Sequence, residues 1–293
     1  MEMTLQQLTP NLWLNSSELF TYHSGIFVSE HRAVVIDPGL KQNEIDALAR
    51  FVRQQNWQVD AVILTHGDWD HILGASAFPN ARVVAQREYV AKTKRSAEYI
   101  QRVIEKTPDL GITVPFTPPR ADETFAERMT LQVGALTLEL FHTPGHAPDH
   151  LFIQERANGI LWSADMLSNE EIPYVIDHLG TIAKTLNAVS LEDVRWLVAC
   201  HGEPTNDLTE IRARLENDRA YIAELQTRVA RSVSDGKSLD ETQELCADIS
   251  YRQSVPDNRG AHHRNVASAY VELGGQVSEP VGWRRAQLEI MPY

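Results

Sequence analysis

The chain has 293 residues, 43% hydrophobic and 23% charged, which suits one large core or a core with an accessory module and excludes a wholly disordered chain. Its 27 basic and 40 acidic residues leave a formal net charge of −13, the opposite of the basic footprint of a protein that grips nucleic acid. Two cysteines, Cys200 and Cys246, make neither a disulfide framework nor a CxxC pair, and no stretch reaches the ~18 apolar residues of a membrane span or shows a signal-peptide pattern. The expectation is a soluble cytoplasmic protein with a small-molecule substrate and with no nucleic-acid or membrane partner.

The first two-thirds alternates strands and helices. Gly25 to Val28 and Ala33 to Ile36 are short apolar segments around a polar turn, a predicted hairpin, and Asp37-Pro38-Gly39 ends its second strand. Apolar Ile45, Leu48 and Val52 recur at helical spacing between about 43 and 55. Ala61 to Leu64 is a continuous apolar run, predicted as a strand buried on both faces. A strand is predicted over 81–85, a polar helix over about 87–106, and a proline-rich loop over 107–122. Strands follow at 129–133, 136–141, 151–154 and 160–162, with a last buried strand at 197–200. Asp207, with Glu210 three residues on, marks a helix start. Leu208, Ile211, Leu215, Ile222, Leu225, Val229 and Val233 then form one apolar stripe, interrupted by Asp218. That stripe is expected to pack against the body or against a second subunit of a homodimer. Two shorter helices are predicted at 238–247 and 262–273. The predicted organisation is an α/β body over 1–205 and a helical C-terminal extension over 206–293.

Four predicted strand ends run into potential metal ligands: His66-Gly-Asp68-Trp-Asp70-His71, then His142-Thr-Pro-Gly-His146, then Ser163-Ala-Asp165, then His201-Gly202. In α/β folds ligands bind outside the carboxyl ends of strands, so these ends point to one shared site. Imidazole nitrogen and carboxylate oxygen suit zinc, iron and manganese. The ligands crowded between His66 and His71 are easier to divide over two ions than to wrap around one. Two neighbouring ions can hold a bridging hydroxide and polarise a carbonyl or phosphoryl oxygen.

Thr65 to His71 resembles the T-H-x-H-x-D-H signature of the metallo-β-lactamase superfamily. His142 to His146 resembles its T-P-G-H element, Ser163 to Asp165 its small-residue-Asp element, Cys200 to Gly202 its final G-H-G, and Val35 to Gly39 its early strand ending in D-P-G. The resemblance spans roughly residues 10–205 in order. It implies an αβ/βα sandwich in which His66, Asp68 and His146 hold a first metal, Asp70, His71 and His201 a second, and Asp165 bridges them. It also implies that Asp70 orients the attacking water and passes its proton to the leaving group. Two divalent cations are expected, zinc first, with iron or manganese as alternatives.

The departure is Asp68, which stands where the family carries its second histidine. A carboxylate is a harder ligand and adds charge, which favours iron or manganese relative to a three-histidine site. Its alternative reading is an outer carboxylate that orients a ligand histidine. His142 is expected to pack or hydrogen-bond, His150 to support a ligand from behind, and Cys200 to be a buried, inert thiol. Asp37 is expected to close the turn below the site. Trp69 is read as either pocket wall or packing. Lactonases of the family carry a tyrosine three residues after the bridging aspartate. Here Ser168 stands there, leaving Tyr174 to substitute from further along, on the segment that also carries His178. His262 and His263 are expected to cap the last helix or face substrate. The leading expectation is hydrolysis of a thioester, lactone or carboxylic ester, in the manner of glyoxalase II-like enzymes. The alternatives are a di-iron redox enzyme and a binding protein with a degenerate site.

Overall fold

A computed structural model describes residues 5–175, 178–252 and 257–277. A first sheet runs in chain order through β1 (Gln6–Thr9), β2 (Leu12–Ser16), β3 (His23–Ser29), β4 (Arg32–Ile36), β5 (Gln58–Ile63), β6 (Arg82–Gln86) and β7 (Glu123–Phe125). β1 to β4 form antiparallel neighbours, and β4 to β7 run parallel. The crossovers carry α1 (Gln42–Gln54), the one-turn α2 (Trp69–Ile72) and α3 (Tyr89–Lys106).

The second sheet comprises β8 (Arg128–Val133), β9 (Leu136–His142), β10 (Leu151–Glu155), β11 (Ile160–Ala164) and β12 (Trp196–Ala199) in the order β12-β11-β10-β9-β8. Its strands β10 and β11 are buried throughout, so their sequences read as largely apolar runs. Successive side chains of a strand point to opposite faces, and the two cores divide accordingly. Leu151, Ile153, Ile160, Trp162 and Val198 join the first sheet, α1 and α3 in one hydrophobic core. Phe152, Leu161 and Leu197 face the other way, into a second core with α4 (Leu179–Ala188), α5 (Leu208–Ser234), α6 (Leu239–Cys246) and α7 (Asn258–Glu272). Between the sheets Trp162 lies so close to Gly25 that a Cβ there would sit 2.7 Å from its ring.

α5 is one unbroken helix of 27 residues, and Asp207 caps it by accepting from the Thr209 and Glu210 N–H groups. Ile211, Leu215, Ile222, Leu225 and Val229 of the expected stripe enter the second core, so the stripe faces the body. Asp218 does not break it: the carboxylate is buried, accepts from Arg252 and takes the Leu167 N–H at 3.2 Å. α7 begins at Asn258 rather than at His262. His262 therefore neither caps it nor faces a pocket. It is buried, with Nδ1 3.0 Å from the Tyr221 hydroxyl and Nε2 3.0 Å from the Cys246 carbonyl. Among the described residues no helix is long and apolar enough to cross a membrane.

Candidate metal centre

Parallel pairing sets the site. β4 and β5 run side by side with Ile36 opposite Ile63, so Asp37 emerges next to Thr65 and the ligand motif. β11 and β12 are likewise parallel, with Ala164 opposite Ala199, which brings Asp165 and His201 out at one edge. The β9–β10 connection delivers His146 to the same place.

The structure brings together all seven expected ligands, in two clusters. In the first, Asp68 Oδ2 lies 3.2 Å from His66 Nε2 and 3.4 Å from His146 Nε2, and Asp165 Oδ2 lies 3.4 Å from each imidazole. In the second, His71 Nε2 lies 3.4 Å from Asp70 Oδ2 and 3.1 Å from Asp165 Oδ1. His201 Nε2 lies 3.1 Å from Asp70 Oδ2 and 3.5 Å from Asp165 Oδ2. Asp165 belongs to both. Four donors at zinc bond lengths of about 2.0–2.1 Å in a tetrahedron stand roughly 3.3 Å from one another, and the observed spacings match. The Nε2 atoms of His66, His71 and His146 and Asp165 Oδ1 are buried without a hydrogen-bond partner. Buried polar atoms are ordinarily satisfied, and these converge on the positions that cations would fill.

The outer contacts aim the lone pairs inward. Asp37 is fully buried and accepts from the Thr65 N–H at 2.8 Å, the Thr65 hydroxyl at 2.6 Å and His71 Nδ1 at 3.0 Å. The Thr65 oxygen lies 3.2 Å from His66 Nδ1 and is free to accept from it. His201 Nδ1 donates to the Thr21 carbonyl at 3.1 Å. A histidine whose Nδ1 carries the proton presents Nε2 as the ligand atom. Asp37 is thus more than the turn-closing residue its sequence context suggests.

His150 supports the site from behind, as expected. Its Nδ1 is 3.1 Å from the Thr143 carbonyl, and its Nε2 accepts from the Asp165 N–H at 3.3 Å. His142 bonds the Pro148 carbonyl at 2.8 Å. Trp69 is buried in the first core, edge-on to Phe20. Phe20, a residue the sequence did not single out, stacks on the His201 ring at 5.6 Å. Ser168 donates to the His201 carbonyl. Tyr174 sits edge-on to His146 at 6.3 Å, but its hydroxyl donates to Asp257 at 2.6 Å, so it is held at the start of α7 rather than turned to the ligands. The Arg264 guanidinium lies 5.6 Å over the Tyr174 ring, which puts α7 at this edge of the site. His178 is exposed beside Glu272.

The electrostatics are those of crowded opposite charges. Burial raises the Asp68 carboxyl, but Lys92 with His146 and His66 more than reverses this, holding it well below the ordinary range. Asp165 is likewise raised by burial and driven well below that range by His71 and His201. Burial depresses His71 and His201, and the facing carboxylates, with Glu171 first for His201, carry both well above the ordinary imidazole value. Cys200 is pushed up to about 12, chiefly by burial, and its thiol faces Asp37 at 3.7 Å. It is a neutral, inert side chain.

Comparison with known proteins agrees with this geometry. The model of the metallo-beta-lactamase superfamily matches residues 19–217. A hydroxyacylglutathione hydrolase of Francisella tularensis subsp. novicida (strain U112) is 30% identical over 164 residues, 54% of this chain and 51% of its own. A linear primary-alkylsulfatase of Pseudomonas sp. (strain ATCC 19151) is 21% identical over 245 residues, 71% of this chain and 46% of its own. The chain thus spans about half the length of these relatives. Among solved structures, the sec-alkylsulfatase Pisa1 from Pseudomonas sp. superposes with a TM-score of 0.69 at 18% identity, covering 99% of this chain and 52% of its own. A metallo-beta-lactamase family protein from Thermus thermophilus gives 0.65 at 20% identity, covering 91% of this chain and 93% of its own. With the matched segment holding all seven candidate ligands, the chain belongs to the metallo-beta-lactamase superfamily.

Proposed function

We propose that the protein is a binuclear metal-dependent hydrolase that cleaves an ester-like bond of a small molecule. The observation that carries this reading is the pair of donor clusters sharing Asp165, with spacings that fit two tetrahedral cations. His66, Asp68 and His146 would hold one cation and Asp70, His71 and His201 the other. Two divalent ions held there, zinc first by the family resemblance, would polarise a scissile carbonyl and supply a strong nucleophile from water at neutral pH.

The chain's own residues do the rest. Asp70 is ionised throughout the neutral range, because His71 and His201 reverse the effect of its burial. It orients the attacking water and carries its proton to the leaving group. Asp37 and Thr65 fix the rings of His71 and His66, and His150 fixes the Asp165 backbone. Phe20 and Tyr174 flank the ligands with aromatic surface.

The relatives favour a thioester. They include the hydroxyacylglutathione hydrolase and an atrochrysone carboxyl ACP thioesterase of Aspergillus chevalieri, 23% identical over 73% of this chain and 62% of its own. A sulfate ester is the second reading, favoured by the alkylsulfatase that matches 71% of this chain. The test is turnover of acyl thioesters, lactones, carboxylic esters and alkyl sulfates by metal-replete protein and by Asp70→Asn. The expected result is hydrolysis of a carbon–oxygen or carbon–sulfur acyl bond that chelation abolishes and Asp70→Asn lowers at least about 100-fold. No turnover by fully metallated protein across the panel contradicts the reading.

A further inference from the structure

Asp68, Asp70 and Asp165 bring three carboxylates to one centre, and an ammonium lies against the first of them. Lys92, in the first turn of α3, is buried, and lysine is almost never buried unless paired. Its Nζ donates to Asp68 Oδ1 at 2.6 Å and lies 3.7 Å from Asp149 Oδ1. The other Asp149 oxygen accepts from the Gly67 N–H at 2.7 Å. One ammonium therefore joins the ligand motif, the β9–β10 connection that carries His146, and α3.

The fit around this triangle is close. A Cβ at Gly67 would stand 2.7 Å from Thr93 Cγ2 and 3.2 Å from Tyr89, so α3 is pressed onto the motif. The two oxygens of Asp68 are divided: Oδ1 faces Lys92, and Oδ2 faces His66 and His146. A free aspartate in a loop would rotate or chelate. This one is clamped with a single oxygen aimed at the cluster.

Resting on the binuclear reading above, we propose that Lys92 is a positioning residue for the first metal. It holds Asp68 by Oδ1 so that Oδ2 completes the donor set with His66 and His146, and its charge offsets the carboxylate that stands in this slot. Lysine and aspartate then act as one unit, and removing the lysine matters only while the aspartate is there.

The experiment is a double-mutant cycle read by metal content and by zinc competition titration, on wild type, Lys92→Met, Asp68→His and the double variant. Elemental mass spectrometry gives the stoichiometry, and far-UV circular dichroism of the chelated proteins checks that each is folded. Lys92→Met is expected to weaken one of two bound metals by about 10–100-fold and to leave the other unchanged. In the Asp68→His background the same change is expected to cost nothing. Lys92→Arg, which keeps the charge, is expected to retain most of the affinity and stands in if Lys92→Met does not fold. Equal losses in both backgrounds, or no loss in either, would overturn the proposal. One metal or fewer in wild type would instead sink the binuclear reading, so the two failures are told apart.

Discussion

Asp37 has no exposed surface, and its carboxylate holds both Thr65 and the His71 ring. Asp37→Ala strands the His71 Nδ1–H and the Thr65 N–H in a buried place. Zinc affinity at the second cluster is expected to drop about 10–100-fold, read by competition with a chromogenic chelator; unchanged affinity would mean the ring is held by its packing alone. Cys200 gives the opposite expectation. With its thiol pushed up to about 12 and buried, it should resist alkylation in the native protein at pH 8 and react only after unfolding, as peptide mass mapping would show. The seven candidate ligands are legible in the sequence because they follow strand ends in a fixed order. Lys92 and Asp149 are not, since their partners lie 24 and 82 residues away and meet only through the approach of α3 to the motif. Asp37 is half legible: its turn can be read, but the histidine it holds is set by the pairing of β4 with β5.

At the scale of elements, α5 couples the helical layer to the site. Asp218 on this helix takes the Leu167 N–H, two residues after Asp165, and pairs with Arg252. Burial raises the Asp218 carboxyl to about 7 despite Arg252, so the loss is that of buried hydrogen bonds, about 1–3 kcal/mol, and Asp218→Ala should lower unfolding stability by about that much in a urea titration. A change below about 0.5 kcal/mol, the range of ordinary surface substitutions, would count against it. The cap is a smaller effect: Asp207→Ala should cost about 1 kcal/mol by the same measurement. The long periodic α5 and the buried strands of both sheets are legible, because their apolar spacing is repeated or continuous. The edge strand β1, its neighbour β2 and helix α4 carry no such signal. β1 is four residues with two glutamines, and α4 buries just Leu179, Ile182 and Leu186, too short a pattern to stand out. α7 starts four residues before its apolar pattern suggests because polar Asn258 and Asn265 are buried, serving loop backbone at Glu170, Ile172, Pro173 and Val175.

For the whole molecule, charge at the centre links metal, protons and stability. The carboxylates raise His66, His71 and His201 above 6.5 in the metal-free protein. A raised imidazole contributes stability that is fully present below its unfolded value and is lost as pH rises through the folded one. Chelated protein should therefore lose thermal stability on going from mildly acidic to alkaline pH. Metal must displace those same protons, so zinc affinity should rise with pH, with its loss on acidification beginning above about 6.5. Melting curves of chelated and zinc-loaded protein across this range should diverge as pH increases; parallel curves would contradict the linkage. The central claim is tested most directly by the metal content of protein purified without chelator or affinity metal, by elemental mass spectrometry. The account predicts two divalent ions per chain, predominantly zinc, one of them bound about 10–100-fold more weakly in Lys92→Met. One ion or none per wild-type chain would contradict it, and two irons would move the chemistry from hydrolysis toward redox.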